Sequence, residues 1–464
     1  MNIKSTALAL AIASAFVAPV QAQSAADMQR VVEQAMQAVA QANKAAADAQ
    51  RAADQAIQAL NQMKAQMATQ AAATPAAASG ATPGGTRAIS ETAVLAATNP
   101  SALTLTSGPN SLTLYGLLDV TLTNVNHLNA AGDSRKSYQS APWFSGSRLG
   151  FAGKRELGNG LRALVRLESE FVTNTGEEDA AGILFGRDAW AGLESDTYGK
   201  FSFGRQNAVG RDFAAIYLDP YGASKSSTAE GGGTNTNNFK QMIFYAGSAT
   251  GTRYDRGAVW KKAFDSGLVA SVGYQFGGVV GAVSTNSTQT VALGYNGGPF
   301  NVAGFINSAD VNKLKHTSYS FGGNYTLGIV RVNAGYFHYT AEQGAANAAG
   351  KRNDTAYTLS ATIAPEGKFD YQVGYQTMNA NHAGITGSGA TANVLNAFAD
   401  TSAITATATG KRKTIYGSAF YHFDRATEVY LAADKLSLSG GYRQRSANGF
   451  LDQTEFGIGL RTRF

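Results

Sequence analysis

Hydrolytic chemistry of the protease or phospholipase kind would need serine, histidine and acidic groups in mutual reach, and this chain, which has no cysteine nucleophile, offers five histidines, His127, His316, His338, His382 and His422. None of the five sits in a recognisable catalytic motif, and His338 and His422 have ordinary strand-like neighbours. The missing cysteine also removes disulfides and thiolate zinc sites. The glycine-rich run Glu230-Gly-Gly-Gly-Thr-Asn lacks the Lys-Ser/Thr of a phosphate-binding loop. No catalytic residue, metal or cofactor is therefore expected. A net charge of +6 over 464 residues is too small to suggest nucleic acid. What remains is charge at a fixed spacing. Arg162, Arg166, Glu168 and Glu170 alternate with Leu161, Ala163, Val165, Leu167 and Phe171. At the C-terminus Glu455, Gly457, Gly459, Arg461 and Arg463 alternate with Phe456, Ile458, Leu460, Thr462 and Phe464. Charges on one face of a strand act through their field, without covalent steps.

The elements that must carry these faces differ along the chain. Residues 1–22 read as a secretory signal, with Lys4, an apolar run from Ala7 to Val17, and the small-x-small site Val20-Gln21-Ala22. Residues 23–74 are rich in Ala, Gln and Met. Met28, Val32, Val39, Leu60, Met63 and Met67 fall, with intervening alanines, on steps of four and three, the seam of an α-helical coiled coil. Ser24 and Asp27 can cap its start. Half of that seam is alanine, so the helix needs partners brought together by something else. Residues 75–110, rich in Ala, Thr, Gly, Ser and Pro, read as a flexible linker.

From 111 to 464 the period is two. The expected strands are sixteen: 112–125, 147–155, 160–172, 183–195, 199–206, 253–264, 267–277, 288–296, 300–308, 317–327, 329–341, 353–364, 367–379, 412–423, 426–438 and 452–464. Most reach the about 9 to 11 residues that a tilted strand needs to cross a bilayer. Tight turns such as Leu157-Gly158-Asn159-Gly160, Asp265-Ser266 and Asp424-Arg425 alternate with long segments such as 126–146, 207–252 and 380–411. The fold class is thus all-β, a 16-stranded antiparallel transmembrane β-barrel preceded by an α-helical coiled coil, with both barrel ends on the short-turn side. In such a barrel the apolar face meets lipid and the polar face lines water. Tyr115, Phe151, Trp190, Tyr295, Tyr336, Tyr375, Tyr421 and Phe464 are candidates for the aromatic girdles.

Several runs together resemble one family: Ser111-Leu-Thr-Leu-Tyr-Gly-Leu-Leu-Asp119, Ser147-Arg-Leu-Gly-Phe-Ala-Gly153, Leu161-Arg-Ala-Leu-Val-Arg-Leu-Glu168, Leu184-Phe-Gly-Arg-Asp-Ala-Trp-Ala-Gly-Leu193, Phe203-Gly-Arg-Gln206 and Gly457-Ile-Gly-Leu-Arg-Thr-Arg-Phe464. They are similar to the trimeric general porins of Gram-negative outer membranes, nearest the betaproteobacterial type. The likeness is dense over the first five strands and the last. It implies a homotrimer set in outer-membrane lipid and lipopolysaccharide, passing small hydrophilic solutes and ions. It also implies a third external loop folded into the pore, setting acidic residues against a basic wall. The matching segment, 207–252, holds Asp212, Asp219 and Glu230 but lacks the Pro-Glu-Phe-Gly-Gly-like sequence of the family's loop. On the wall, Arg148 and Arg187 match basic positions of the family. Arg166 shares its strand's polar face with Arg162, and Arg253 opens a stretch similar to the sixth strand. The net charge of +6 points weakly to an anion preference, which salt should screen. Phe464 resembles the aromatic C-terminus read by the barrel assembly machinery as an assembly signal.

The helix and linker fall outside the resemblance. Attached on the turn side, the helix would lie in the periplasm, where a trimer would supply three copies and raise their effective concentration. The unbroken seam favours a stalk reaching peptidoglycan or a periplasmic protein, so tethering the envelope, over a plug in the lumen, which needs no heptad.

Overall fold

The computed structural model describes residues 101–464 apart from 128–130, 139–142, 180–181, 218–244, 312, 343–349, 365–366, 383–401, 404–408, 441–442 and 445–449. The expected signal, the coiled coil and the linker up to residue 100 lie outside the described residues. Among the described residues there are twenty strands: β1 (Leu103–Ser107), β2 (Asn110–Val125), β3 (Arg135–Tyr138), β4 (Ser147–Gly158), β5 (Leu161–Phe171), β6 (Asp188–Ser195), β7 (Gly199–Asn207), β8 (Arg253–Ala263), β9 (Leu268–Gln275), β10 (Thr288–Gly297), β11 (Phe300–Val311), β12 (Leu314–Leu327), β13 (Val330–Ala341), β14 (Arg352–Ile363), β15 (Phe369–Asn381), β16 (Ser402–Ala403), β17 (Gly410–His422), β18 (Thr427–Gly440), β19 (Arg443–Gln444) and β20 (Asp452–Arg463). One short helix, α1 (Val209–Ala214), follows β7.

Sixteen of these strands form a closed antiparallel barrel, each paired with its neighbours in sequence order and β2 paired with β20 to close it. All sixteen expected strands are among them. β3 lies along the upper edge of β2, from Leu122 to Val125, while β16 and β19 form a separate two-stranded ladder. β1, at the tail of the stretch read as linker, pairs with Asn110–Leu114 at the foot of β2. It lies in line below Phe464, whose backbone pairs with Gly116.

Burial is the reverse of a soluble sheet. Ile306 and Leu327 are each 70% exposed, while Glu428 and Arg461 are fully buried. Along β20 the alternation is strict: Phe456, Ile458 and Leu460 point out, and Glu455, Gly457, Gly459, Arg461 and Arg463 point in. Apolar area facing hydrocarbon is favoured by roughly 25 cal/mol per Å², whereas an Arg or Lys turned to lipid at the midplane would cost about 2–4 kcal/mol. Only an apolar solvent outside the barrel makes this arrangement stable. Beside the short turns, aromatic rings cluster: Tyr295 with Phe300, and Phe369 with Tyr421 and Phe423. Two expected girdle residues are elsewhere. Tyr115 and Trp190 are buried on the inner face, Tyr115 against Glu168 and Trp190 beneath the Lys200 ammonium. The turn between β4 and β5 shows why it can be short. Gly158, Asn159 and Gly160 all take positive φ, which glycine and asparagine tolerate and most residues do not.

Candidate functional site in the barrel lumen

The segment between β7 and β8 turns inward, and both of its described ends are fixed to the wall. Val209, Phe213, Ala214 and Tyr217 pack with Phe305, Phe337 and the alanines of β10 and β11. The wall has been cut back to receive them. A Cβ on Gly322 or Gly335 would lie 2.5 or 2.4 Å from the Tyr217 ring, and one on Gly273 would lie 2.7 Å from Val209. Hydrogen bonds complete the attachment. The Tyr217 hydroxyl pairs with Ser320 Oγ at 2.7 Å, Asn324 donates to the Ile216 carbonyl, Asn307 donates to the Gly247 carbonyl, and the Tyr245 hydroxyl donates to Asp354 at 2.8 Å.

Facing this segment, β4, β5 and the start of β6 carry interleaved charges. Glu168 accepts from the Tyr115 hydroxyl at 2.7 Å, from Arg166 at 2.8 Å and from Arg187. Glu170 accepts from Arg187, and Asp188 lies 3.1 Å from Arg166 Nε. Arg148 donates through Nε to the Gly146 carbonyl at 2.9 Å. Arg253 stands within electrostatic reach of Arg187, Arg211, Asp188 and Glu170. The inserted helix adds Arg211, which donates to Asn207 at 2.9 Å. Burial, together with the Arg187 cation, pushes the Arg211 guanidinium down to about 10, so it is still charged at neutral pH. In the external connection between β5 and β6, burial and the nearby Glu170 raise the Asp179 carboxyl.

A family model for Gram-negative porins matches residues 65–441. This chain belongs to the Gram-negative porin family. The porin is 30% identical over 262 residues to an outer membrane porin protein of Bordetella pertussis, covering 50% of this chain and 64% of the relative, less than two thirds of its length. Among solved structures it is similar to the anion-selective porin from Comamonas acidovorans, with a TM-score of 0.58 at 20% identity over 76% of this chain and 100% of the other. It is also similar to OmpT of Vibrio cholerae in its trimer form, with a TM-score of 0.50 at 16% identity over 76% and 99% of the two chains. Identities this low speak for the fold alone.

Within the porin, Arg148, Arg166, Arg187 and Arg253, the four arginines singled out from the sequence, come together on the inner wall. Of the three acidic residues sought in the inserted loop, Asp219 and Glu230 lie outside the described residues. Asp212 sits in α1, where Asn207 donates to it at 3.1 Å and Lys261 lies 3.7 Å away. Most carboxylates beside the arginines belong instead to the wall: Glu168, Glu170 and Asp188. Parity carries the missing signal, because Glu168 and Glu170 share the inward face of β5 with Arg166. Arg211, a cation arriving with the loop, had no such signal, since its direction depends on α1 docking in the glycine-cut groove. Phe464 ends the closing strand, its ring over Gly116 where a Cβ would lie only 2.3 Å from it.

Proposed function

We propose that this porin forms a water-filled outer-membrane channel for passive diffusion of small hydrophilic solutes and ions, weakly selective for anions, and that it performs no catalysis. The observation that carries this reading is the inward-facing belt of charge set against an inserted loop. Six cationic groups, Arg148, Arg166, Arg187, Arg211, Arg253 and Lys261, stand among four carboxylates, Glu168, Glu170, Asp188 and Asp212, with Asp179 of the external connection within electrostatic reach. Such a belt lets polar solutes shed part of their hydration against fixed charges, and its slight positive excess favours anions, less so at high salt. In this reading Arg148, Arg187, Arg166 and Arg253 are the basic side of the constriction, with Asp212, Asp219 and Glu230 as the loop acids, and Phe464 is the assembly signal.

The working form is a homotrimer, as supported by family membership and by the trimer form of OmpT. Residues 23–74 then form a periplasmic coiled-coil stalk, reading outward to peptidoglycan or a periplasmic protein. The apolar seam supports this, as does the position of β1 and β2 on the short-turn side. The test is single-channel recording of the mature protein in a planar bilayer under a salt gradient. Steps in groups of three with an anion-side reversal potential are expected. A folded trimer that is silent until residues 23–108 are deleted would replace the stalk with a plug.

A further inference from the structure

The inserted loop is not the only chain inside the barrel. β4 joins the wall at mid-height, and just before it the turn 143–146 lies in the lumen, fully buried against the seam of β2, β20 and β18. Trp143 rests on Gly457, where a Cβ would lie 2.8 Å from its ring. Phe144 packs on Phe420 and Tyr430, with ring centroids 4.9 and 4.8 Å apart. The backbone is tied by hydrogen bonds to side chains of the wall. Trp143 N–H donates to Thr121 Oγ1 at 3.0 Å and Ser145 N–H to Asp119 Oδ2 at 2.9 Å. Arg461 donates to Ser145 Oγ at 3.1 Å, and the Tyr430 hydroxyl holds the second Asp119 oxygen at 2.6 Å. Behind Arg461 the network continues through Glu428 and His422 to Asp370.

The other side of the turn touches the charged belt. Arg148 Nε donates to the Gly146 carbonyl, and a Cβ on Gly146 would fall 1.6 Å from Glu170 Oε1. That carboxylate is the partner of Arg187. The backbone of residue 146 therefore fixes a cation and leaves room for an anion at once.

We propose that the turn 143–146 is a positioning element of the constriction: anchored by Asp119 and Arg461, it holds Arg148 and makes room for Glu170 against Arg187, and so sets the ion selectivity of the pore. This rests on the channel reading above. Asp119, Arg461, Ser145 and Gly146 are positioning residues, since they act on ions through Glu170 and Arg148.

The test compares wild-type, G146A, E170Q, the G146A/E170Q double variant, D119A and D119N as purified trimers in planar bilayers, reading reversal potential and unit conductance. In G146A the new methyl displaces the flexible end of Glu170 and leaves Arg187 less compensated. The anion-to-cation permeability ratio should rise by about twofold with the trimer's heat stability kept, the size expected for one unmasked charge in a narrow aqueous path. E170Q should shift it the same way, and the double variant should go no further than E170Q alone. D119A, by releasing Ser145, should shift the ratio too, with D119N, which retains one acceptor oxygen, recovering part of the change. A folded G146A trimer with the wild-type ratio, or a G146A shift that adds in full to that of E170Q, overturns the proposal. If D119A does not fold, G146A and the double variant decide alone. A silent wild-type trimer that stays silent after deletion of residues 23–108 would sink the channel reading instead, an outcome separate from unchanged selectivity in a conducting pore.

Discussion

Two segments enter the same lumen and are held there by opposite means. The loop after β7 lies on β9 to β14 chiefly by apolar packing, its rings sunk into positions where the wall has glycine, and the hydrogen bonds that complete the attachment come from neutral side chains, with Asp354 the one carboxylate named among their acceptors. The turn 143–146 lies on β2, β18 and β20 by hydrogen bonds to buried ionic groups, with Trp143 and Phe144 filling the space between. Apolar packing loses stability in proportion to volume changed, and the charges nearby hardly notice. A buried ionic network fails abruptly when one member is lost, because the others are left without compensation. The two sides of the pore should therefore answer differently to substitution.

The largest effect should come from the ionic side. Arg461→Ala strips Asp119 of the cation beside it and leaves Glu428 with only Arg463, 3.5 Å away, and His422, so it should cost about 3 kcal/mol, the low end for a broken buried pair, read as a lowered urea or heat midpoint of the folded trimer. A midpoint within error of wild-type would show that the network is solvated and the contrast false. Next, Gly335→Val drives a side chain into the Tyr217 ring, whose nearest atom would lie 2.4 Å from the new Cβ; overpacking of this kind costs about 1–3 kcal/mol. Unit conductance should change more than the permeability ratio as the loop shifts, because α1 carries only Arg211 and Asp212 of the belt with it. A ratio that moves as much as conductance would erase the distinction between the sides. The smallest effect is with pH. Because Arg211 is pushed down to about 10, raising pH through that value removes a cation from the belt, so anion preference should fall there more steeply in wild-type than in Arg211→Gln, where only the lysines of the pore lose charge.

How much of this was legible follows from what fixes each feature. The sixteen strands were, because alternation is a property of each strand alone and long strands repeat it many times. The same alternation placed Arg166, Glu168 and Glu170 on one face. Residue type alone points Tyr115 and Trp190 to the girdles. Their parity, shared with Asp119 and Asp188 respectively, puts them inside. The inward dip at 143–146 left no trace. The run Pro142-Trp-Phe-Ser-Gly146 has no period, and its direction is set by Asp119, Tyr430 and Arg461, which reach it from distant strands. β1 was hidden for a similar reason. Leu103-Thr-Leu-Thr-Ser107 is short, and only the vacant edge of β2 makes it a strand.

That edge is occupied along its whole length by two pieces of chain meeting end to end, β20 from above down to Phe464 and β1 from below up to Leu103. A slide of one residue would turn every side chain of a strand to the wrong face. Here the slide toward the foot of the barrel is also obstructed by β1, like a drawer meeting its back panel, so the closing seam has a stop built into one end of its travel.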